Sequence, residues 1–227
     1  MTEIKGSAGV RRLLNLGCGP EAARTDWDDY DGSWNLLLRR SLPGRFLTPL
    51  IDRYASHGWP GHVKFLSLTR RLPFLTDSID GIYASHVLEH LHFSDAKIFL
   101  EECLRILRPG GILRLVVPDL EHQARTYLAS GDPAAALAFN RAMLFRPEEA
   151  PDSLFRKLKL ALADFHSHKF MYDEKFLAGL LHEKGFRQIT RRDCHLSAIP
   201  EIEQVENPGR ILHGAGIALE CMKNEIP

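Results

Sequence analysis

Three groups of residues in this 227-residue chain have the types and spacing for chemistry. The first is Leu13-Leu14-Asn15-Leu16 running into Gly17-Cys18-Gly19-Pro20, an apolar strand pattern that breaks on a glycine turn. A strand entering such a turn reads as a nucleotide-type site. The run lacks the third glycine of a GxGxxG fingerprint, however, and Pro20 removes a backbone donor, which disfavours a pyrophosphate cradle. The second is Asp31, twelve residues after Gly19, whose carboxylate can accept hydrogen bonds from ribose hydroxyls if it ends the second strand. A plain surface-turn aspartate is the alternative at this spacing. The third is His86, Glu89 and His90, an HxxEH that on a helix falls within one turn and offers ligands to a divalent metal, with His166 or His168 able to complete the set. Capping and packing of the helix account for Glu89 and His90 more simply, and no metal is expected.

The elements that must position these residues alternate. Strands are expected ending near Tyr30-Asp31, at Val63 to Leu66, at Asp80 to Ser85 and at Ile112 to Val117. Between the last two lies an amphipathic helix with Ser94 as its N-cap. Ala96, Phe99, Leu100, Cys103, Leu104 and Leu107 share one face of it, and Pro109-Gly110-Gly111 ends it. Asp119 caps a following helix that ends at Gly131, and Asp132-Pro133 opens another. Residues 133 to 170 read as helical, and a last helix runs from the Asp173 cap to Gly185. Phe186 to Thr190 and Ile211 to Cys221 close the chain as an antiparallel strand pair. Such alternation predicts a mainly parallel sheet with helices on both faces, with ligands bound at the carboxyl ends of the strands. The loops after Leu16, Asp31, Ser85 and Val117 therefore share one edge.

Composition sets the frame. Hydrophobic residues make up 44% and charged residues 26%, the balance of a globular protein with a sizeable core, and the length suits one domain, 1–227. Lys plus Arg (29) equals Asp plus Glu (29), so no long-range field gathers nucleic acid or anionic lipid. The Arg-Arg pairs at 11–12, 39–40, 70–71 and 191–192 are scattered and read as solvated element ends. Cys18, Cys103, Cys194 and Cys221 form no CxxC, and the N-terminal residues have no apolar core of a signal peptide, so a cytoplasmic location is expected.

LLNLGCGP (13–20), LPFLTDSIDGIYASHVLEHL (72–91) and FLEECLRILRPGGILRLVVPDLE (99–121), in this order, resemble a class I S-adenosylmethionine-dependent methyltransferase with a domain of the type 11 kind. HKFMYDEKFLAGLLHEKGF (168–186) is similar to the C-terminal part of one bacterial branch of small methyltransferases. The resemblance implies a Rossmann-like seven-stranded sheet, mainly parallel with an antiparallel last strand, and S-adenosyl-L-methionine as cofactor. On it, Gly17 and Gly19 let the backbone approach the amino acid moiety and ribose, with Asn15, Leu16 and Cys18 shaping the turn, and Asp31 binds the ribose hydroxyls. Ser67 stands where the family often has Asp, leaving adenine to the Ser67 hydroxyl and the Leu68 backbone. Ser85 and His86 face the methylthio end, and Tyr172 lies on the acceptor side. The stretch from Gly19 to Asp31 is too short for the family's usual first helix, a shortening the bacterial branch shares.

Methyl transfer to a small-molecule acceptor follows as the expected activity, at oxygen in preference to nitrogen. A hydroxyl acceptor calls for a base, with His86 the first candidate and His168 the second. Residues 32–62 and 131–170 are expected to form helical inserts that cap the site, Leu154, Leu158, Leu162 and Phe165 giving the second an apolar face. Nucleic acid and membrane partners are disfavoured, and a homodimer is allowed. The alternatives are a cofactor-binding scaffold or regulator without catalysis and, less well supported, an NAD(P) dehydrogenase, which Pro20 and the LRPGG turn disfavour.

Overall fold

The structure, a computed structural model, describes residues 11–41, 59–143 and 167–224. Seven strands form one sheet: β1 (Leu13–Leu16), β2 (Asp28–Asp31), β3 (Lys64–Phe65), β4 (Ile79–Ser85), β5 (Leu107–Pro118), β6 (Phe186–Arg191) and β7 (Gly216–Lys223). Their order is β3-β2-β1-β4-β5-β7-β6, with β1 to β5 parallel and β7 antiparallel to both of its neighbours. Strand order reverses between β1 and β4, so the chain leaves these two central strands in opposite directions and opens a crevice at their carboxyl ends. The turn at Gly17 and the segment at His86 both begin there.

Side chains alternate across the sheet with the two-residue period of a strand. One face presents Leu14, Leu16, Ile82, Ala84, Leu113, Leu115, Val117, Ile217 and Leu219, all buried in a core shared with two helices. Helix α2 (Phe93–Ile106) contributes Ala96, Phe99, Leu100 and Cys103 to this core. Helix α5 (Glu174–Glu183) contributes Leu177, Leu180 and Leu181. The opposite face presents Leu13, Tyr83, Val116 and Ala218, and they pack with Trp27, Ile199 and Ile202. No helix forms between β1 and β2, as expected, and the irregular stretch before β7 covers this face in its place: Trp27 Nε1 donates to the Glu201 carbonyl at 3.3 Å and Asp26 N to Gln204 Oε1 at 3.3 Å.

In the middle of that second face lies Arg114, fully buried. Its guanidinium donates to Glu206 Oε1 (2.6 Å) and Oε2 (2.9 Å), to Glu220 Oε1 (2.9 Å), and to the carbonyls of Leu196 (3.0 Å) and Asp193 (2.9 Å). Every donor group is thereby used, which is what allows a charge at a position where β5 otherwise carries apolar residues. The LPF segment is held in a similar way: Glu102 on α2 accepts from Leu72 N at 2.7 Å and pairs with Arg105, which also donates to the Leu72 and Phe74 carbonyls, both at 3.0 Å.

Element boundaries differ from expectation in four places. Helix α2 starts at Phe93 after His92, so Ser94 lies inside the first turn and no side chain caps the helix. The helix ends at Ile106, and Pro109-Gly110-Gly111 bulges out of the β4–β5 ladder, since Leu107 pairs Ile79 but Ile112 already pairs Gly81. The last strand begins at Gly216, because Ile211 packs onto the second-face core and residues 212–214 turn in a 3₁₀ manner. The third strand is shorter than Val63 to Leu66, since only Lys64 and Phe65 pair with β2.

The caps at Asp119 and Asp173 are as expected. They accept from His122 N at 2.9 Å and Phe176 N at 2.7 Å and open α3 (Leu120–Ala129) and α5. Within the proposed inserts, α1 (Trp34–Arg40) and α4 (Ala135–Met143) are helical, whereas Ser167 to Phe170 are not. Residues 42–58 and 144–166, with Leu154, Leu158, Leu162, Phe165 and His166, lie outside the described residues. Among the described residues no helix is long and apolar enough to cross a membrane.

Candidate active site

Gly17 and Gly19 both adopt φ +76°, a left-handed conformation that a side chain strains. The two glycines serve different ends. A Cβ on Gly17 would lie 2.3 Å from Val87 Cγ2, so the turn after β1 is pressed against the segment that follows β4. A Cβ on Gly19 would meet nothing within 4 Å, so this backbone borders open space. Gly17 N donates to the Tyr30 carbonyl at 2.8 Å, which ties the turn to β2.

Asp31 ends β2 and is 7% exposed. Its Oδ2 accepts from Gly19 N at 3.0 Å and its Oδ1 from Ser33 N at 2.8 Å, so one carboxylate joins the loops after β1 and β2. Each oxygen keeps a second lone pair for a further donor. Burial first, then the charges of Asp31 and Asp29, pushes the thiol of Cys18 beside it far above the ordinary range.

Other residues of the expected cofactor set are placed differently. Asn15 points into the second face, where its amide donates to Asp29 Oδ1 at 2.7 Å, and burial raises the Asp29 pKa against that bond. Leu16 and Leu68 are core residues, so any ligand contact from them is a backbone one. The Ser67 hydroxyl lies 3.4 Å from that of Thr69. Ser85 is buried, and Arg210, from the stretch before β7, donates to its carbonyl at 3.2 Å and its hydroxyl at 3.4 Å.

His86 follows β4 directly. Its N donates to the Val116 carbonyl at 2.9 Å while its φ is +55°, a conformation costing roughly 1–2 kcal/mol that strained functional positions often show. Its Nδ1 lies 3.0 Å from Glu89 Oε1. Glu89 sits in a short 3₁₀ turn, Leu88–His90, rather than in the helix assumed for HxxEH, and no side chain caps that turn. The carboxylate is completely buried.

From the other side come His168 and Tyr172, on the segment before α5. Lys169 N donates to the Glu89 carbonyl at 2.6 Å, and a bridge between Asp119 and Tyr172 anchors the segment to the end of β5. The His90 and His168 rings stand edge to face, 5.0 Å apart. Burial lowers the His168 pKa while the Glu89 charge opposes the shift, and burial then Glu89 raises that of Tyr172. The structure thus brings His86 and His168 to one carboxylate. Sequence reasoning left Glu89 as a capping residue and missed Arg210. A carboxylate following apolar Val87-Leu88 and preceding Leu91 by two residues was the available signal for the first, and nothing local marked the second.

Residues 50–115, under a third of the chain, match the family model described as a methyltransferase domain. A search of curated proteins finds no match. Among solved structures, the chain is similar to an S-adenosylmethionine-dependent methyltransferase from Methanosarcina mazei, at 15% identity over 95% of this chain and 93% of that one, with a TM-score of 0.48. It is also similar to a protein from Haloferax volcanii in complex with the Trm112 methyltransferase activator, at 14% identity over 96% and 85%, TM-score 0.47. A third is the CurJ carbon methyltransferase, at 15% identity and TM-score 0.47; the chain is covered over 95% but spans about half of that protein, 49%. The match over residues 50–115 and the β3-β2-β1-β4-β5-β7-β6 order agree with the Rossmann-like fold of a methyltransferase domain.

Proposed function

We propose that this chain methylates a hydroxyl of a small-molecule acceptor, with His86 as the base. The observation that carries the reading is the placement of His86: strained, at the mouth of the β1–β4 crevice, with a buried carboxylate 3.0 Å from its Nδ1. The Glu89 charge at that distance favours a proton on Nδ1 and so leaves Nε2 as the acceptor. Nε2 is buried without a hydrogen-bond partner among the described residues, so an acceptor hydroxyl would supply one.

The residues at the glycine turn fit the cofactor. Open space beside Gly19 admits the ligand to bare backbone, and Asp31 has lone pairs left for two hydroxyls. Gly17, Gly19 and Asp31 would hold the amino acid and ribose parts, and Ser67 and the Leu68 backbone the adenine. When bound, S-adenosyl-L-methionine supplies a methyl group activated by its sulfonium. The chain itself positions the acceptor, removes its proton at His86 Nε2 and excludes water, positioning being the larger contribution to rate. In this reading α1 (Trp34–Arg40) and α4 (Ala135–Met143), the described helices of the proposed inserts, admit the acceptor and then close over it. His168, whose pKa burial lowers, is the second candidate for the base.

Calorimetric titration with S-adenosylhomocysteine and turnover across a panel of hydroxylated small molecules test the reading. Asp31→Ala should weaken binding by about 1.5–3 kcal/mol, the range for hydrogen bonds to a charged group, or ~10- to 100-fold. His86→Ala should lower turnover ~10²-fold with binding little changed. Full turnover in His86→Ala would reject the base assignment, and unaltered affinity in Asp31→Ala would remove Asp31 from the site.

A further inference from the structure

Glu89, His90 and His168 carry more than the base assignment uses. One ligand atom from each lies within 4.8 Å of the other two, in a pocket where Glu89 and His168 are buried and His90 is half-buried. Neither oxygen of Glu89 has a hydrogen-bond partner among the described residues; the His86 Nδ1 contact has the distance of one without the alignment. His168 Nδ1 is likewise buried and unpartnered. A carboxylate fully withdrawn from water and left with both oxygens unsatisfied is among the costliest arrangements in a protein interior. Capping does not explain it, because the turn containing Glu89 has no side-chain cap.

From this convergence we infer that Glu89, His90 and His168 form a binding site for a divalent transition-metal ion. Two imidazole nitrogens and one carboxylate suit zinc, manganese or ferrous iron better than calcium or magnesium, which take oxygen ligands. One of the histidines is already oriented from behind, as metal-ligating histidines are. His90 Nδ1 lies 3.3 Å from the Ser167 carbonyl. Glu89 can serve both the ion and His86, one oxygen each. Three protein ligands leave a coordination position for water or, if the methyl-transfer reading holds, for the acceptor oxygen. A second grouping, Cys194, His195 and Glu206, meets the same distance criterion. Its Glu206 is already spent on Arg114 and on His195 N at 2.6 Å, so it carries no site.

The test titrates the metal-stripped full chain with Co²⁺, following its visible absorption, and then displaces it with Zn²⁺. The site predicts one ion per chain, binding weakened ~10- to 100-fold in Glu89→Gln and in His168→Ala, and His195→Ala unchanged. Circular dichroism shows whether each variant is folded. Absence of stoichiometric binding by the wild-type chain overturns the inference whatever the variants do, as does loss of binding in His195→Ala with retention in His168→Ala. S-adenosylhomocysteine titration of the same metal-stripped protein reports separately on the cofactor site, so the two readings fail independently.

Discussion

Replacing Gly17 by Ala separates two costs that the structure shows at one position. At φ +76° a Cβ costs roughly 1–2 kcal/mol whatever surrounds it. The added carbon would also lie 2.3 Å from Val87 Cγ2, well inside the ~3.5–4.0 Å at which carbons rest, so Val87 must turn or the strand ends must part, at about 1–3 kcal/mol. Gly17→Ala should therefore destabilise by ~2–5 kcal/mol. Val87→Ala alone loses two buried methyl groups, about 1.6 kcal/mol at ~0.8 each before any cavity term. In the double variant the clash is gone and the new methyl group fills the space Cγ2 left, so only the backbone strain and a little lost packing remain. The double variant should be ~1–3 kcal/mol more stable than the two single losses added together. Urea unfolding of the four proteins, at constant slope with denaturant, measures that coupling. Additivity within ~0.5 kcal/mol would show that the turn after β1 does not rest on Val87, and the close approach of the two strand ends would have to be abandoned.

Two further outcomes follow from paired charges. Glu102 has its pKa lowered first by the Arg105 hydrogen bond, against an ordinary value of 4.5. Its contribution to stability is full above that value and is lost as pH falls through the lowered one, so the drop in Tm between pH 6 and pH 3 should be smaller in Glu102→Gln than in the wild-type chain. Arg114→Leu strands Glu206 and Glu220 inside the second face and should cost about 3–5 kcal/mol by urea unfolding. Adding Glu206→Gln and Glu220→Gln to it should recover part of that loss, and no recovery would mean that Arg114 acts mainly through the Asp193 and Leu196 carbonyls.

The sheet was legible where the chain writes it locally. Leu13 to Leu16 breaks on glycine, Ile112 to Val117 is a continuous run of strand formers, and the Asp119 and Asp173 caps stand where the helices begin. Boundaries slipped where tertiary pairing decides, as at Pro109-Gly110-Gly111, which breaks the register of β5 without ending it. The places of Gly17, Asp31 and His86 at the carboxyl ends of β1, β2 and β4 were legible, because each stands where a strand pattern stops. Glu89 was not, since its burial depends on a segment about eighty residues away folding back over it, through Lys169 N to the Glu89 carbonyl. Asn15 was assigned to the turn, but in a strand every second residue faces the other way, and Asn15 shares the face of Leu13 and meets Asp29.

Closing the second face with chain from the far end of the sequence has a kinetic meaning. The bonds that seal it join positions 178, 174 and 92 residues apart: Asp26 to Gln204, Trp27 to Glu201, Arg114 to Glu206. The helices of the first face, by contrast, form from local sequence. Loops of such length close slowly, so this face should assemble after the parallel strands and α2 are in place. Contacts absent from the folding transition state leave the folding rate almost untouched and act on the rate of opening. Trp27, Ile202 and Arg114 are thus placed to set how long a folded molecule lasts, and the lifetime of Arg210 on Ser85, at the edge of the crevice, is bound to theirs.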